Sequence, residues 1–145
     1  MKRVLGLDVG DRRIGIAICD ELRVTTRGLL TLERTNIKND IQKISDIAIE
    51  NNCSCIVVGL PLNVSGDDSR QTEKVRVFAK KLENKFLVYP EKDRVRVILQ
   101  DERYSTKLAE EMMDEAGIKT GKKRKAVDEQ AARVILEDWL DLLGT

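Results

Sequence analysis

The sequence contains no histidine. That absence removes Ser/His and Cys/His nucleophilic catalysis, every His-containing zinc site and the usual general base at neutral pH. Carboxylates, Lys, Arg, hydroxyls and thiols are left to do any chemistry. Net charge is nearly as scarce: 26 Lys plus Arg almost cancel 25 Asp plus Glu. No overall positive field draws the chain toward a polyanion, so such a partner must be met by a local patch. Cysteines are few and odd in number, and Cys19, Cys53 and Cys55 lie in or beside strand-like apolar segments. Without the spacings of a disulfide framework, they point to a reduced, cytoplasmic protein. No apolar run approaches the roughly 20 residues of a membrane span, and Met1-Lys2-Arg3 does not lead into a clean secretory segment, so no membrane partner is expected. Internal repeats, low-complexity tracts and Pro/Ser-rich linkers are also missing.

What is present fits one domain, residues 1–145, long enough to remove about 70% of its unfolded surface from water. Residues 3–9 and 13–19 are β-rich runs separated by a Gly/Asp/Arg turn, and 24–31 gives a third, which predicts an antiparallel meander. In the second run Ile14, Ile16 and Ile18 share one face, and Gly15, Ala17 and Cys19 share a smaller one that lets a helix come close. From Ile37 the period becomes helical, with Ile41, Ile44, Ala48 and Ile49 recurring as far as Asn51 and Asn52. "CIVVGLP" follows as a buried strand, and Ser69 to Phe86 carries Val75, Phe78, Ala79 and Leu82 as a helical stripe. "RVRVIL" reads as a further strand, helices are expected at about 106–116 and 126–143, and 61–68 and 117–125 read as loops. The expected fold is α/β: a mixed five-stranded sheet, three antiparallel strands then parallel ones, with helices on both faces.

Acids stand at unusual places in this pattern. "VLGLDVGDRRIGIAICD" puts Asp8 inside an apolar strand, just before its turn, where a carboxylate is costly unless a partner such as a metal ion meets it. "VRVILQDERYST" runs from a strand into Asp101 and Glu102; alternation lets only one of the two face a site, and both suit a solvated strand end as well. On the last helix Asp128, Ala132, Ile135, Trp139 and Leu142 are spaced four, three, four and three, so Asp128 falls on the sheet-facing stripe, with Ala126, Ala131 and Ala132 leaving room for close packing. An Asp there also serves as a partner for the helix dipole. Taken together the three positions suggest one carboxylate cluster, whose repulsion a hard divalent ion, Mg²⁺ or Mn²⁺, relieves. Such an ion also suits phosphoryl transfer to water, a nuclease chemistry that needs no histidine.

Other signals concern anions. Asn63, Ser65 and Gly66 precede a helix whose first residues are open to a phosphate, although Ser69 also reads as a plain N-cap and no Walker motif is present. Lys122, Lys123, Arg124 and Lys125 form a basic run just before Asp128, either a nucleic-acid clamp or a solvated connector. Arg12, Arg13, Arg70 and Arg103 are further candidates for nucleic-acid contact, whereas Cys53 and Cys55 read as core thiols.

"LDVGDRRIGIAICD", "VVGLPLNVSG" followed by "VRVFAKKL", "DERYST" and "VDEQAARVIL" resemble, in order and spacing, the four blocks of the YqgF/RuvX family of RNase H-like proteins. The resemblance implies an RNase H-like fold and a cytoplasmic nuclease, linked in bacteria to maturing the 5′ end of precursor 16S ribosomal RNA, part of ribosome biogenesis. Some relatives are described as Holliday-junction resolvases. By motif position the family's catalytic, metal-holding acids fall on Asp8, Glu102 and Asp128. Junction resolvases of the broader fold often carry a fourth acid in the last helix; here its candidates, Glu129 and Asp138, do not share the face of Asp128. The expectations are therefore a metal-dependent nuclease acting on precursor ribosomal RNA, with branched DNA as the alternative substrate, or a nucleic-acid-binding regulator without catalysis. An actin-like phosphotransferase would need two such domains. Oligomeric state is not specified by any of these features.

Overall fold

The computed structural model describes residues 2–63, 65–102 and 121–143, with residues 121–124 described by backbone alone. The expected helix at 106–116 and Arg103 lie outside the described residues. Five strands, β1 (Arg3–Val9), β2 (Arg13–Cys19), β3 (Thr26–Glu33), β4 (Cys53–Leu60) and β5 (Arg96–Asp101), form one sheet in the order β3-β2-β1-β4-β5. The β1–β2 and β2–β3 pairs are antiparallel, and the β1–β4 and β4–β5 pairs are parallel. This is the mixed sheet that the sequence pattern predicts. Its two faces are covered by different helices. Alternation along the strands sends Leu5, Leu7, Ile14, Ile16, Ile56 and Val58 toward α1 (Ile37–Glu50) and α2 (Arg70–Lys85), where Ile44, Phe78 and Leu82 meet them. The opposite face presents Val4, Ala17, Cys19, Cys55 and Val57 to α3 (Gly121–Leu143), which contributes Ala132, Ile135 and Leu136.

Helix starts follow from local chemistry. Asn36 accepts a hydrogen bond from the Asn39 amide at 2.9 Å, and Ser69 and Thr72 satisfy each other's backbone N–H groups in a capping box. Ser69 is thus occupied as an N-cap. Several boundaries differ from the sequence expectation. β3 starts at Thr26 rather than Val24, because Asp20 Oδ1 accepts from the Val24 and Thr25 amides and Arg23 turns with a positive φ of 59°. β5 starts two residues late, since Arg94 instead caps a 3-10 turn and reaches the Tyr89 and Leu87 carbonyls. α3 begins at Gly121, so the whole basic run expected in a loop is helical, as the high helix propensity of Lys and Arg allows. Two stripe residues also miss the core: Ile49 is 49% exposed and Leu142 is 63% exposed.

The α3 face is close-packed because it is small. Gly15, as anticipated, lies directly beneath α3: a Cβ there would overlap the Asp128 carbonyl outright, and one on Gly6 would stand 2.7 Å from the Ala132 carbonyl oxygen. Helix α3 runs antiparallel to β3, with Thr31 Oγ1 donating to the Lys125 carbonyl at one end and Arg133 and Glu137 meeting Thr26 at the other. Among the described residues, no helix is long and apolar enough to cross a membrane.

Candidate active site

Asp8 points to the α3 face, since it follows Val4 and Gly6 in alternation, and its partner across the β1–β2 ladder is Gly15. The missing side chain at Gly15 lets the first turns of α3 settle over that ladder and brings Asp128 beside Asp8. Burial, with the Asp128 charge adding to it, pushes the Asp8 pKa up to about 6, and among the described residues no hydrogen bond or ion pair offsets this. The turn after Asp8 is held from the other face of the sheet. Arg34 Nη1 donates to the Gly10 carbonyl at 2.9 Å while its Nε pairs at 3.0 Å with the fully buried Asp40, and Gln71 donates to the Val9 carbonyl at 3.2 Å.

Asp128 is itself engaged: Arg13 Nε donates to its Oδ2 at 2.7 Å, and both side chains are largely covered, at 28% and 19% exposure. Arg13, expected at a phosphate, is therefore tied to an acid. Glu102 leaves β5 on the α3 face, its Cγ 3.3 Å from where a Gly59 Cβ would stand, and shares a hydrogen bond with Asp138. Of the pair at the end of β5, Glu102 is thus the one turned to this face. Asp138 is held above the usual carboxylate range mainly by burial, with Asp141 and Glu137 adding to it. Asp138 does not share the face of Asp128, as its position in the sequence indicates. It does follow Ile135 by three residues, and Ile135 packs on Gly59 beside Glu102. That i, i+3 relation to a core residue is the signal that places it near the site.

The structure thus joins Asp8 to Asp128 and Glu102 to Asp138. Among the described residues no three His, Cys, Asp or Glu side chains stand together as a metal-holding group. The donor set nevertheless suits a hard ion of the Mg²⁺ or Mn²⁺ type, being all carboxylate oxygen, and the buried charge at Asp8 calls for a cation. Here Asp128 is paired with Arg13 and Glu102 with Asp138.

The anion candidates are spread more widely. Arg12 and Arg70 are exposed, as is Asn63, whose backbone N–H is taken by the Asp67 carbonyl at 2.9 Å. Lys125 is exposed and 3.8 Å from Glu33, and the backbone of Lys122, Lys123 and Arg124 lies in the first turn of α3. The thiols are core groups, as expected: burial pushes Cys53 up to about 12, with Cys19 adding to it, so it is no nucleophile at neutral pH.

Known proteins resemble this chain along nearly its whole length. A Clostridium tetani protein called "Putative pre-16S rRNA nuclease" is 44% identical over 139 residues, covering 96% of each chain. A protein of the same name from Fusobacterium nucleatum is 38% identical over 144 residues, covering 98% of this chain and 99% of its own. Among solved structures, Fowlpox virus resolvase in complex with Holliday junction DNA has a TM-score of 0.59 at 12% identity, covering 99% of both chains. The Thermus thermophilus RuvC complex with a Holliday junction substrate has a TM-score of 0.55 at 15% identity, covering 100% of this chain and 98% of its own. Those two likenesses show a shared RNase H-like fold. The profile of the family described as "RuvX: Holliday junction resolvase" matches residues 2–142, and the chain belongs to that family.

Proposed function

We propose that the protein is a metal-dependent nuclease that hydrolyses phosphodiester bonds of precursor 16S ribosomal RNA in 5′-end processing, with Asp8, Glu102 and Asp128 holding Mg²⁺ or Mn²⁺. The observation that carries the reading is Asp8, a covered carboxylate at a strand end with Asp128 brought beside it where α3 settles over Gly15. The named relatives supply the substrate class. A bound hard ion supplies Lewis acidity and a more acidic water at neutral pH, a role that in this chain cannot fall to histidine. Asp8 and Asp128 offer oxygens from neighbouring elements, and Glu102 closes the set from beyond Gly59. A second reading, cleavage of four-way DNA junctions, is favoured by Asp138, a fourth carboxylate hydrogen-bonded to Glu102.

The test is a cleavage panel of precursor ribosomal RNA, single strands, duplexes and four-way junctions with Mg²⁺ or Mn²⁺. Asp8→Asn, Glu102→Gln and Asp128→Asn are each expected to abolish cleavage while remaining folded, and Asp8→Asn should also lose most of the metal-induced rise in Tm that mass action gives the unsubstituted protein. Near-normal activity in any one variant removes that residue from the site. Binding without cleavage by the unsubstituted protein makes it a regulator instead.

The phosphate contacts proposed with this reading are Lys122, Lys123, Arg124 and Lys125 of α3, with Arg12, Arg70, Asn63 and Arg103 as further candidates. Each neutralised phosphate of a single strand contributes about −0.7 to the slope of log affinity against log salt, so replacing the four basic residues of α3 by Ser should flatten that slope by as much as roughly 3. The loss should be similar for every sequence, because phosphate contacts do not read bases. An unchanged slope moves the clamp elsewhere.

A further inference from the structure

Arg13 is paired through its Nε with Asp128, one of the candidate metal-holding acids. Its backbone is fixed at the start of β2, where its carbonyl accepts from the Gly10 amide at 2.9 Å, and its side chain reaches across to the first turns of α3. One N–H, at Nε, is spent on Asp128, and the two Nη groups make no hydrogen bond among the described residues. It is in direct contact with Asp128, the acid that lies beside Asp8. Asp8 and Asp128 bring two negative charges and Arg13 one positive charge, so the unit is left with one negative charge. A divalent ion added to that unit overshoots neutrality by one, and one phosphodiester group restores the balance.

We infer that Arg13 is a resident counter-ion exchanged during function: it holds Asp128 in the metal-free protein, yields that carboxylate to the divalent ion, and turns its guanidinium to the phosphate being bound. The inference rests on the nuclease reading and adds a positioning residue to it. Geometry supports the exchange, because an Nε–Oδ2 contact of 2.7 Å uses the same carboxylate a metal would need, and an Arg offers its fork to carboxylate and phosphate alike. Metal and nucleic acid should then bind more tightly together than separately, as reciprocal coupling requires. Removing the guanidinium should favour metal and disfavour nucleic acid, a split that loss of a merely structural ion pair does not produce.

Calorimetric titration of the metal-free protein with Mn²⁺, without nucleic acid, tests this directly. Arg13→Gln is expected to bind Mn²⁺ about five- to tenfold more tightly than the unsubstituted protein, and Arg13→Lys should lie close to the unsubstituted protein, since the charge is kept. For Arg13→Gln, affinity for a fluorescent single-stranded oligonucleotide in Ca²⁺ should fall several-fold. Asp128→Asn approaches the pair from the other side. It should bind the oligonucleotide more tightly in EDTA, and the double variant Asp128→Asn, Arg13→Gln should lose that gain. Equal or weaker Mn²⁺ binding by Arg13→Gln overturns the exchange. So does a gain in Asp128→Asn that survives loss of Arg13, which alone decides the matter if Arg13→Gln does not fold. Binding without cleavage by the unsubstituted protein sinks the nuclease reading itself, whereas cleavage there with unchanged Mn²⁺ binding by Arg13→Gln sinks only the exchange.

Discussion

In metal-free buffer at pH 8, Asp8→Asn is expected to melt roughly 6 °C above the unsubstituted protein, while being inactive. The native carboxylate is costly where it lies: burial and Asp128 raise its pKa from 3.8 to about 6. A group raised in the folded state gives its full stabilisation below the unfolded pKa and loses it as pH climbs through the folded one. The unsubstituted protein should therefore shed about 2 kcal/mol between pH 4 and pH 7, at about 1.36 kcal/mol for each tenfold difference in proton affinity between folded and unfolded chain. An asparagine has no such charge to desolvate and offers an amide donor to Asp128, so its stability should not show that fall. For a chain of this length about 2 kcal/mol corresponds to the stated rise in Tm, at roughly 3 °C per kcal/mol. Melting curves collected from pH 4 to pH 8 in EDTA settle it: parallel pH profiles, or an Asp8→Asn protein less stable at pH 8, mean that Asp8 bears no such strain. The predicted pattern, stability gained where activity is lost, marks a residue kept for what it binds.

Gly15→Ala should be strongly destabilising for a single added methyl group. Its Cβ would overlap the Asp128 carbonyl and come within 3.0 Å of the Asp128 Cα, both backbone atoms that cannot swing aside. α3 must lift from β2, at a cost of about 3 kcal/mol or more for overpacking, which is roughly 9 °C in Tm. Asp128 moves with the helix, and displacement of about 1 Å at a reacting centre is enough to cost about 100-fold in rate. Gly28→Ala is the matched comparison, because its closest contact, 2.7 Å, is with Glu129 Oε1, which can rotate away, and the Glu129 Cβ at 3.0 Å has only a few tenths of an ångström to give. It should lose less than about 1 kcal/mol. Similar melting temperatures for the two variants would show that the contact of α3 with β2 gives way easily.

Most of the sheet is legible in the sequence because its strands are short apolar runs broken by turns. β1 and β2 have the bounds that alternation predicts, and the small face of Gly15, Ala17 and Cys19 announces a helix at close range. Of the candidate acids, Asp8 and Asp128 stand out for the same reason, each being a charged residue on a face otherwise given to packing. What one-dimensional spacing does not contain is the partner across space. Arg13 reads as one of many surface arginines until the antiparallel turn and the docking of α3 set it against Asp128, 115 residues away. Asp138 is set aside by comparison with Asp128, and only the packing of Ile135 on Gly59 puts it next to Glu102. The basic run reads as a loop because charge is common to loops and to exposed helix starts, and propensity alone does not choose between them.

The clamp on the far side of the sheet gives the carboxylate of Asp8 an address that α3 does not set. Arg34 ties the Gly10 carbonyl to the sealed charge of Asp40 at the head of α1, and its guanidinium stacks 5.2 Å from the centre of the Phe78 ring in α2. Loss of the Asp40 carboxylate would leave that guanidinium without its ion-pair partner, and the turn carrying Gly10 would be the nearest thing to relax. Variation in the α1–α2 layer can therefore surface as a kinetic phenotype at a centre it never touches. Screens for inactive variants would then recover Asp40 and Arg34 alongside the acids, and only a melting curve would tell the two kinds of defect apart.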